Sequence, residues 1–176
     1  MYQNIYSEGW QKRLEQQFFD KGPERKRAYI CSPLSASDEK EMQNNILLAR
    51  AYMLYAFERM GYQARAPHAY LPLLLDDRII AERALALQFG IQLLEQSDIL
   101  FVCGRRISTG MRGEIEHAAQ LRMPIVTFHE DTFHEVRQLV SLKNSNLVRT
   151  VTLDQEHFIM GFTDPMAYMA SLEGMA

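Results

Sequence analysis

The stretch SDILFVCGRRISTGMRGEIEHA, residues 97–118, decides the fold. Its first part, 98–104, is a short apolar run, which is typical of a strand buried on both faces of a sheet. Its second part begins with small and polar residues and continues with apolar residues three or four positions apart, which predicts a helix from Gly110 to about Arg122. A buried strand followed by a helix is the repeating unit of a parallel sheet.

The same alternation extends through the rest of the chain. Further strands are predicted at 28–31, 62–67, 124–128 and 147–153, and further helices at 38–60, 76–96, 131–141 and 165–173. Ser35 or Ser37 is expected to cap helix 38–60, and Gly61 to end it. The pattern predicts an α/β fold, a flavodoxin-like or Rossmann-like three-layer sandwich with a five-stranded parallel sheet in the order 2-1-3-4-5.

An amphipathic helix is also predicted at 5–20, so residues 1–27 are interpreted as an N-terminal helix and linker, and 28–176 as the α/β domain. The chain has 176 residues, 47% of them hydrophobic, and a mean hydropathy of −0.24. These values are ordinary for one soluble domain, which at this length needs neither disulfides nor a metal to fold.

Composition also excludes several classes of protein. No apolar run reaches the roughly 18 residues of a transmembrane helix, and the polar N-terminus is unlike a signal peptide. The formal net charge of −3 argues against a nucleic-acid polymer as partner. Cys31 and Cys103 form no disulfide framework, which predicts a reduced, cytoplasmic setting. Since no transmembrane run is present, no membrane partner is expected.

The predicted strand order directs attention to two loops. In such sheets ligands bind at the carboxyl ends of the strands, where the strand order reverses between strands 1 and 3. The first loop, after strand 1, offers Ser32, Pro33 and Ser35. Its serines either cap the following helix or face a ligand.

The second loop, after strand 3, has the composition of an anion site. Glycines let a ligand approach the backbone, and a helix N-terminus attracts negative charge. Arg105, Arg106 and Arg112 add positive charge. The ligand contacts predicted in this loop are Gly104, Ser108, Gly110, Met111 and Arg112.

Glu114 lies in the first turns of the same helix, where the helix dipole favours an ionised carboxylate. A carboxylate facing the cleft can act as a nucleophile on a sugar. The alternative is that Glu114 only adds negative charge near the helix N-terminus. His117, three residues later, either reaches the cleft or packs against a neighbouring subunit, and packing is favoured.

Three motifs together resemble the nucleoside 2-deoxyribosyltransferase-like superfamily over about residues 28–130. They are YICSP at 29–33, SDILFV at 97–102, and Ser108-x-Gly110-x-x-x-Glu114-Ile115-x-x-Ala118. The resemblance implies that Glu114 is the catalytic nucleophile and that the active assembly is a homodimer or a larger homo-oligomer. Contacts with a neighbouring subunit are expected from 141–150.

The superfamily has two branches, which differ six residues before the nucleophile. Transferases carry an aspartate there, whereas 2′-deoxynucleoside 5′-phosphate N-hydrolases carry a serine that contacts the phosphate. This chain has Ser108 and is therefore similar to the second branch. The segment 67–78, with Glu82-Arg83 and 107–111, also resembles a DUF4406-like subgroup of the superfamily.

One position departs from the superfamily. Gly90 stands where both branches place an aspartate that engages the nucleoside. A carboxylate would then have to come from Asp76, Asp77 or Glu82, and we assign Asp76 as the acid that protonates the leaving base. His68 and Tyr70 either line the side of the base or cover the site.

The sequence therefore predicts cleavage or transfer at the N-glycosidic bond of a small-molecule nucleotide or nucleoside. The alternative is a non-catalytic nucleotide-binding or sensing protein on the same scaffold, which Gly90 favours. A flavin-binding or signalling module is a weaker third interpretation. No cofactor is expected, and no zinc, because His129, Glu130 and His134 lack the H-E-x-x-H spacing.

Overall fold

The computed structural model describes residues 25–34, 36–154 and 158, and of Leu73 it describes the backbone only. The helices predicted at 5–20 and 165–173 lie outside the described residues, as does Ser35.

Five parallel strands form one sheet in the order β2-β1-β3-β4-β5. The strands are β1 Arg27–Cys31, β2 Gln63–Arg65, β3 Ile99–Val102, β4 Ile125–Thr127 and β5 Val148–Thr150. The predicted α/β fold and strand order are confirmed. The order reverses between β1 and β3, so the switch point lies where the sequence analysis expects it.

The strands are linked by α1 Glu39–Met60, α2 Leu71–Leu74, α3 Ile80–Glu95, α4 Thr109–Gln120 and α5 Glu130–Leu139. Two 3₁₀ turns, Pro67–Ala69 and Leu142–Leu147, complete the described elements. Within the described residues, no helix combines the length and apolar character that crossing a bilayer requires.

The two ends of α1 test the capping predictions. Gly61 ends the helix as predicted, with a left-handed φ of 73°. Ser37 does not cap its start, because the Asp38 carboxylate accepts the Glu41 backbone N–H at 2.8 Å. The Ser37 hydroxyl instead donates to the Glu41 side chain at 2.8 Å.

The helix predicted at 76–96 begins only at Ile80. The Asp76 carboxylate accepts the backbone N–H of Arg78 at 3.0 Å and so holds a turn that precedes the helix. The strand predicted at 147–153 is likewise shorter, because residues 142–147 form a 3₁₀ turn and pairing ends at Thr150.

Side chains of β1 alternate between the two faces of the sheet. Ala28 and Ile30 pack in the core that includes α1. Tyr29 and Cys31 pack on the opposite face, in the core that includes residues of α3, α4 and α5. This alternation follows from the two-residue period of a strand. It turns Tyr29 toward α4, the helix that carries Glu114.

Candidate functional site

Glu114 lies in the second turn of α4 with only 14% of its side chain exposed. Its Oε1 accepts the Tyr29 hydroxyl at 2.7 Å. The N-terminus of α4 is capped by Ser108, whose Oγ accepts the Met111 N–H at 3.3 Å. Glu114 therefore does more than add charge at a helix end, because its carboxylate is bound by a residue of the sheet.

Burial, rather than the helix dipole, dominates the ionisation of Glu114. Desolvation raises the pKa of its carboxyl, while His68, Tyr29 and Cys31 lower it and offset part of that rise. Burial and the adjacent Glu114 carboxylate raise the pKa of Tyr29 well above its usual value. Tyr29 therefore stays protonated and serves as a hydrogen-bond donor to Glu114.

His68 lies in the 3₁₀ turn after β2, between the first loop and Glu114. Its Nδ1 lies 2.6 Å from the Ser32 carbonyl oxygen, and its Nε2 lies 4.0 Å from Glu114 Oε1. The His68 side chain is 19% exposed. The ring is thus held between the end of β1 and the carboxylate on α4.

Two buried polar atoms here have no hydrogen-bond partner among the described residues, Glu114 Oε2 and Ser32 Oγ. An unpartnered buried polar group costs about 1–3 kcal/mol, so such atoms in a native protein call for an explanation. Of the predicted site residues, the structure brings Ser32 and Glu114 to the two sides of His68. Both atoms therefore keep unused hydrogen-bonding capacity.

Gly90 is buried in α3 and packs against the same group of residues. A Cβ atom at this position would lie 3.3 Å from the Tyr29 hydroxyl oxygen. The absence of a side chain therefore leaves room for the Tyr29 hydroxyl beside Glu114. At the position where the sequence analysis expects an aspartate, a larger side chain would meet that hydroxyl.

The predicted contacts from Met111 and Arg112 are not supported. Met111 is fully buried in the core, because it lies one helical turn before Ile115 on the same apolar face. Arg112 donates to the Glu135 carboxylate at 2.7 Å, on the side of α5. Arg106 also lies elsewhere, 3.6 Å from Glu41. These arginines do not converge on one anion site.

Pro33 and Gly104 hold the two loops together. Gly104 has a left-handed φ of 88°, and a Cβ there would lie 3.4 Å from the Leu48 side chain and 3.9 Å from that of Pro33. At Gly110 the nearest such atom is Ser108 Oγ, at 4.0 Å. Gly110 and Ser108 therefore leave space beside the N-terminus of α4, where the sequence analysis expects a phosphate.

Asp76 does not suit the role of proton donor. Its carboxylate accepts two hydrogen bonds from the Arg78 side chain, at 2.9 and 2.8 Å. These bonds, with one from the Arg78 backbone, lower the pKa of Asp76 to about 2. Asp77 lies 3.8 Å from Arg83, and Glu82 accepts the Asp76 backbone N–H. The three carboxylates proposed as the acid are thus bound within their own segment.

Two shallow cavities lie away from Glu114, near the amino ends of the strands. One, of about 170 Å³, is lined by Arg27, Arg65, Leu93, Gln96 and Ser97. The other, of about 330 Å³, is lined by Lys26, Tyr62, Asp98, Ile99, Pro124, Asn146, Leu147 and Arg149. Parallel sheets bind ligands at the opposite edge, so neither cavity is the candidate site.

Other histidines do not join the site either. His117 pairs with Glu95 on α3 of the same chain, with 3.1 Å between Nε2 and Oε1. His134 pairs with Glu130 on the surface of α5. Among the described residues, no group of three or more His, Cys, Asp or Glu side chains could hold a metal ion.

The profile of a protein family described as a domain of unknown function (DUF7768) matches residues 26–128, more than half of the chain. The chain belongs to this family. The matched range contains Tyr29, Ser32, His68, Gly90 and Glu114, and thus every residue placed around the carboxylate. Comparisons with curated proteins and with solved structures find no match.

In the sequence, Tyr29 stands out only as part of a buried strand and of the YICSP motif. The signal that could have found its role is the alternation of β1: Tyr29 shares its face with Cys31, and that face is turned toward α4. A tyrosine on such a face needs a partner for its hydroxyl. Glu114 supplies that partner.

Proposed function

We propose that this protein cleaves or transfers at the N-glycosidic bond of a nucleotide or nucleoside, with Glu114 as the nucleophile. The observation that carries the proposal is the state of its carboxylate. Oε1 is bound by the Tyr29 hydroxyl, while Oε2 is buried and has no partner among the described residues. One oxygen is thus oriented by a hydrogen bond, and the other keeps unused hydrogen-bonding capacity inside the site.

The surroundings of Glu114 suit attack on a sugar. A poorly solvated carboxylate is a stronger nucleophile than a hydrated one, and it stabilises the positive charge that develops on the ring. In the proposed reaction, Oε2 attacks the anomeric carbon and displaces the base. Water or a second base then displaces Glu114 from the glycosyl intermediate.

We assign a 5′-phosphate to the N-terminus of α4, beside its Ser108 cap. Ser108 and the backbone beside Gly110 lie there, and a helix N-terminus favours an anion. Since Arg112 is paired with Glu135, we assign this role to the Ser108 hydroxyl and backbone N–H groups rather than to that arginine. Ser32 Oγ is assigned to a hydroxyl of the sugar.

The test is release of free base from a panel of nucleosides and nucleoside 5′-monophosphates, followed by chromatography. Glu114→Gln is expected to lower the rate by about 10³-fold or more, as removal of a nucleophile does. Glu116→Gln is the matched control, because Glu116 lies on the same helix and is exposed. Equal rates in wild type and Glu114→Gln would contradict the proposal.

The second candidate is a nucleotide-binding protein without turnover, which Gly90 favours because the superfamily aspartate is missing. In that case, a compound from the same panel raises the melting temperature of the protein but no base is released. A ligand at a hundred times its Kd stabilises a protein by about 2.7 kcal/mol, which thermal shift detects. Base release that depends on Glu114 would rule out this alternative.

The proposed assembly is a homo-oligomer acting in the cytoplasm. α3 exposes large apolar side chains, including Ile80 and Leu87, in addition to burying Gly90 and Leu94. A helix that is apolar on most sides is usually covered, and we assign a second copy of this chain as the cover. From 141–150, Asn144 is not available as a contact, because it is buried and donates to the Ala119 carbonyl at 3.2 Å.

A further inference from the structure

The His68 ring is oriented by the first loop. A carbonyl oxygen only accepts hydrogen bonds, so the 2.6 Å contact with the Ser32 carbonyl requires the hydrogen on Nδ1. The hydrogen bond at Nδ1 leaves Nε2 as the nitrogen that gains or loses a proton. That nitrogen lies 4.0 Å from Glu114 Oε1, on the side of the nucleophile.

The reaction requires a group that moves protons, and the described residues near Glu114 offer few. Asp76 is held ionised by Arg78. The proton of Tyr29 is committed to Glu114, and the Cys31 thiol is fully buried, with the Met111 carbonyl at 3.9 Å. Tyr70 lies close enough to affect the ionisation of Tyr29, but burial keeps its own hydroxyl protonated by raising its pKa.

We propose that His68 is the acid–base residue of this site, an inference that rests on the proposed function. In the first step Glu114 Oε2 bonds to the anomeric carbon, the bond between that carbon and the base nitrogen breaks, and the departing nitrogen takes the proton from Nε2. The products are a neutral imidazole, the free base and a glycosyl ester on Glu114.

In the second step a water oxygen bonds to the anomeric carbon and gives a proton to Nε2. The ester bond breaks, and its electron pair returns to the Glu114 carboxylate. Both groups are back in their starting states, and the net reaction consumes one water. One residue serves as acid and then as base, as in retaining glycosidases.

The test uses whichever nucleotide or nucleoside the base-release panel identifies. His68→Asn keeps an amide donor near the Ser32 carbonyl but removes the second ring nitrogen. It is expected to lower kcat by about 10²–10⁴-fold, the usual contribution of a general acid or base. It should also abolish the decline of kcat/KM on the alkaline side that a general acid gives. His117→Asn, on α4 but paired with Glu95, is the matched control.

Chemical rescue separates proton transfer from a structural role. Imidazole added to His68→Ala is expected to restore activity at least tenfold, and to leave His117→Asn unchanged. The proposal is overturned if His68→Asn keeps the wild-type kcat and pH profile. It is also overturned if His68→Asn loses activity but retains the alkaline decline, and imidazole does not rescue His68→Ala. The proposed function fails separately, and this inference with it, if wild type releases no base or Glu114→Gln is fully active.

Discussion

At the scale of single residues, the Tyr29 hydroxyl is one of the groups that influence the ionisation of Glu114. It donates to Oε1 at 2.7 Å and is one of the interactions that lower the pKa of a carboxyl raised by burial. Tyr29→Phe removes this bond while keeping the buried ring. The pKa of Glu114 is then expected to rise further, and the nucleophile is ionised only at higher pH.

The pH dependence of base release shows the direction in which the pKa of Glu114 changes. Activity needs the ionised carboxylate, so kcat/KM falls as pH decreases through the pKa of Glu114. In Tyr29→Phe this acid limb should move to higher pH, and the rate at a fixed acidic pH should fall. Tyr52→Phe is the control, because it removes a buried hydroxyl on the opposite face of the sheet, 3.3 Å from His129. An acid limb that stays in place in Tyr29→Phe would show that the bond does not set the ionisation of Glu114.

At the scale of elements, α3 lies beside the site at Gly90, which has no side chain. Alanine in place of glycine inside a helix normally stabilises by up to about 1 kcal/mol. At Gly90, however, the new Cβ lies 3.3 Å from the Tyr29 hydroxyl, which is held by Glu114 and cannot retreat without stretching that bond. Gly90→Ala is therefore expected to gain little or no stability and to lower the rate of base release.

Gly113→Ala supplies the comparison for Gly90→Ala. Gly113 lies in α4, and a Cβ there meets no atom within 4 Å. This variant should gain about 0.5–1 kcal/mol in urea unfolding. If Gly90→Ala gains as much as Gly113→Ala and keeps its activity, the packing of Tyr29 under α3 has no functional consequence.

The elements themselves were largely predictable. Apolar runs gave β1 and β3, and Gly61 marked the end of α1, because these signals are local to the chain. The start of α3 was missed, since the turn before it depends on hydrogen bonds between Asp76 and Arg78. The strand order could be predicted only by analogy with known folds, because pairing joins segments distant in sequence.

The site was predictable only in part, for the same reason. Glu114 stands at a helix start that the sequence marks with glycines. Its neighbours Tyr29 and His68 lie 85 and 46 positions away, and the register of β1 against β3 and the turn after β2 bring them close. Met111 is fully buried in the core, and its spacing of four from Ile115 already indicates that face.

At the scale of the whole molecule, α3 exposes apolar side chains on the surface of the domain. Ile80 is 87% exposed, Leu87 62% and Ile91 36%. These side chains follow one another at intervals of seven and four residues, the spacing of a helix–helix seam. Pairing with the same helix of a second copy would bury such a stripe against itself about a two-fold axis.

Leu87→Glu places a charge in the middle of this stripe. Because burying an unpaired charge costs several kcal/mol, this variant is expected to be monomeric at concentrations where wild type is a dimer or larger. Light scattering coupled to size exclusion measures the mass of both. Leu142→Glu makes the same change at a leucine that is 94% exposed in the segment first expected to contact a neighbour. A monomeric wild type, or dissociation by Leu142→Glu alone, would contradict association through α3. Dissociation by Leu87→Glu alone would assign the contact to α3, whose inner face carries Gly90.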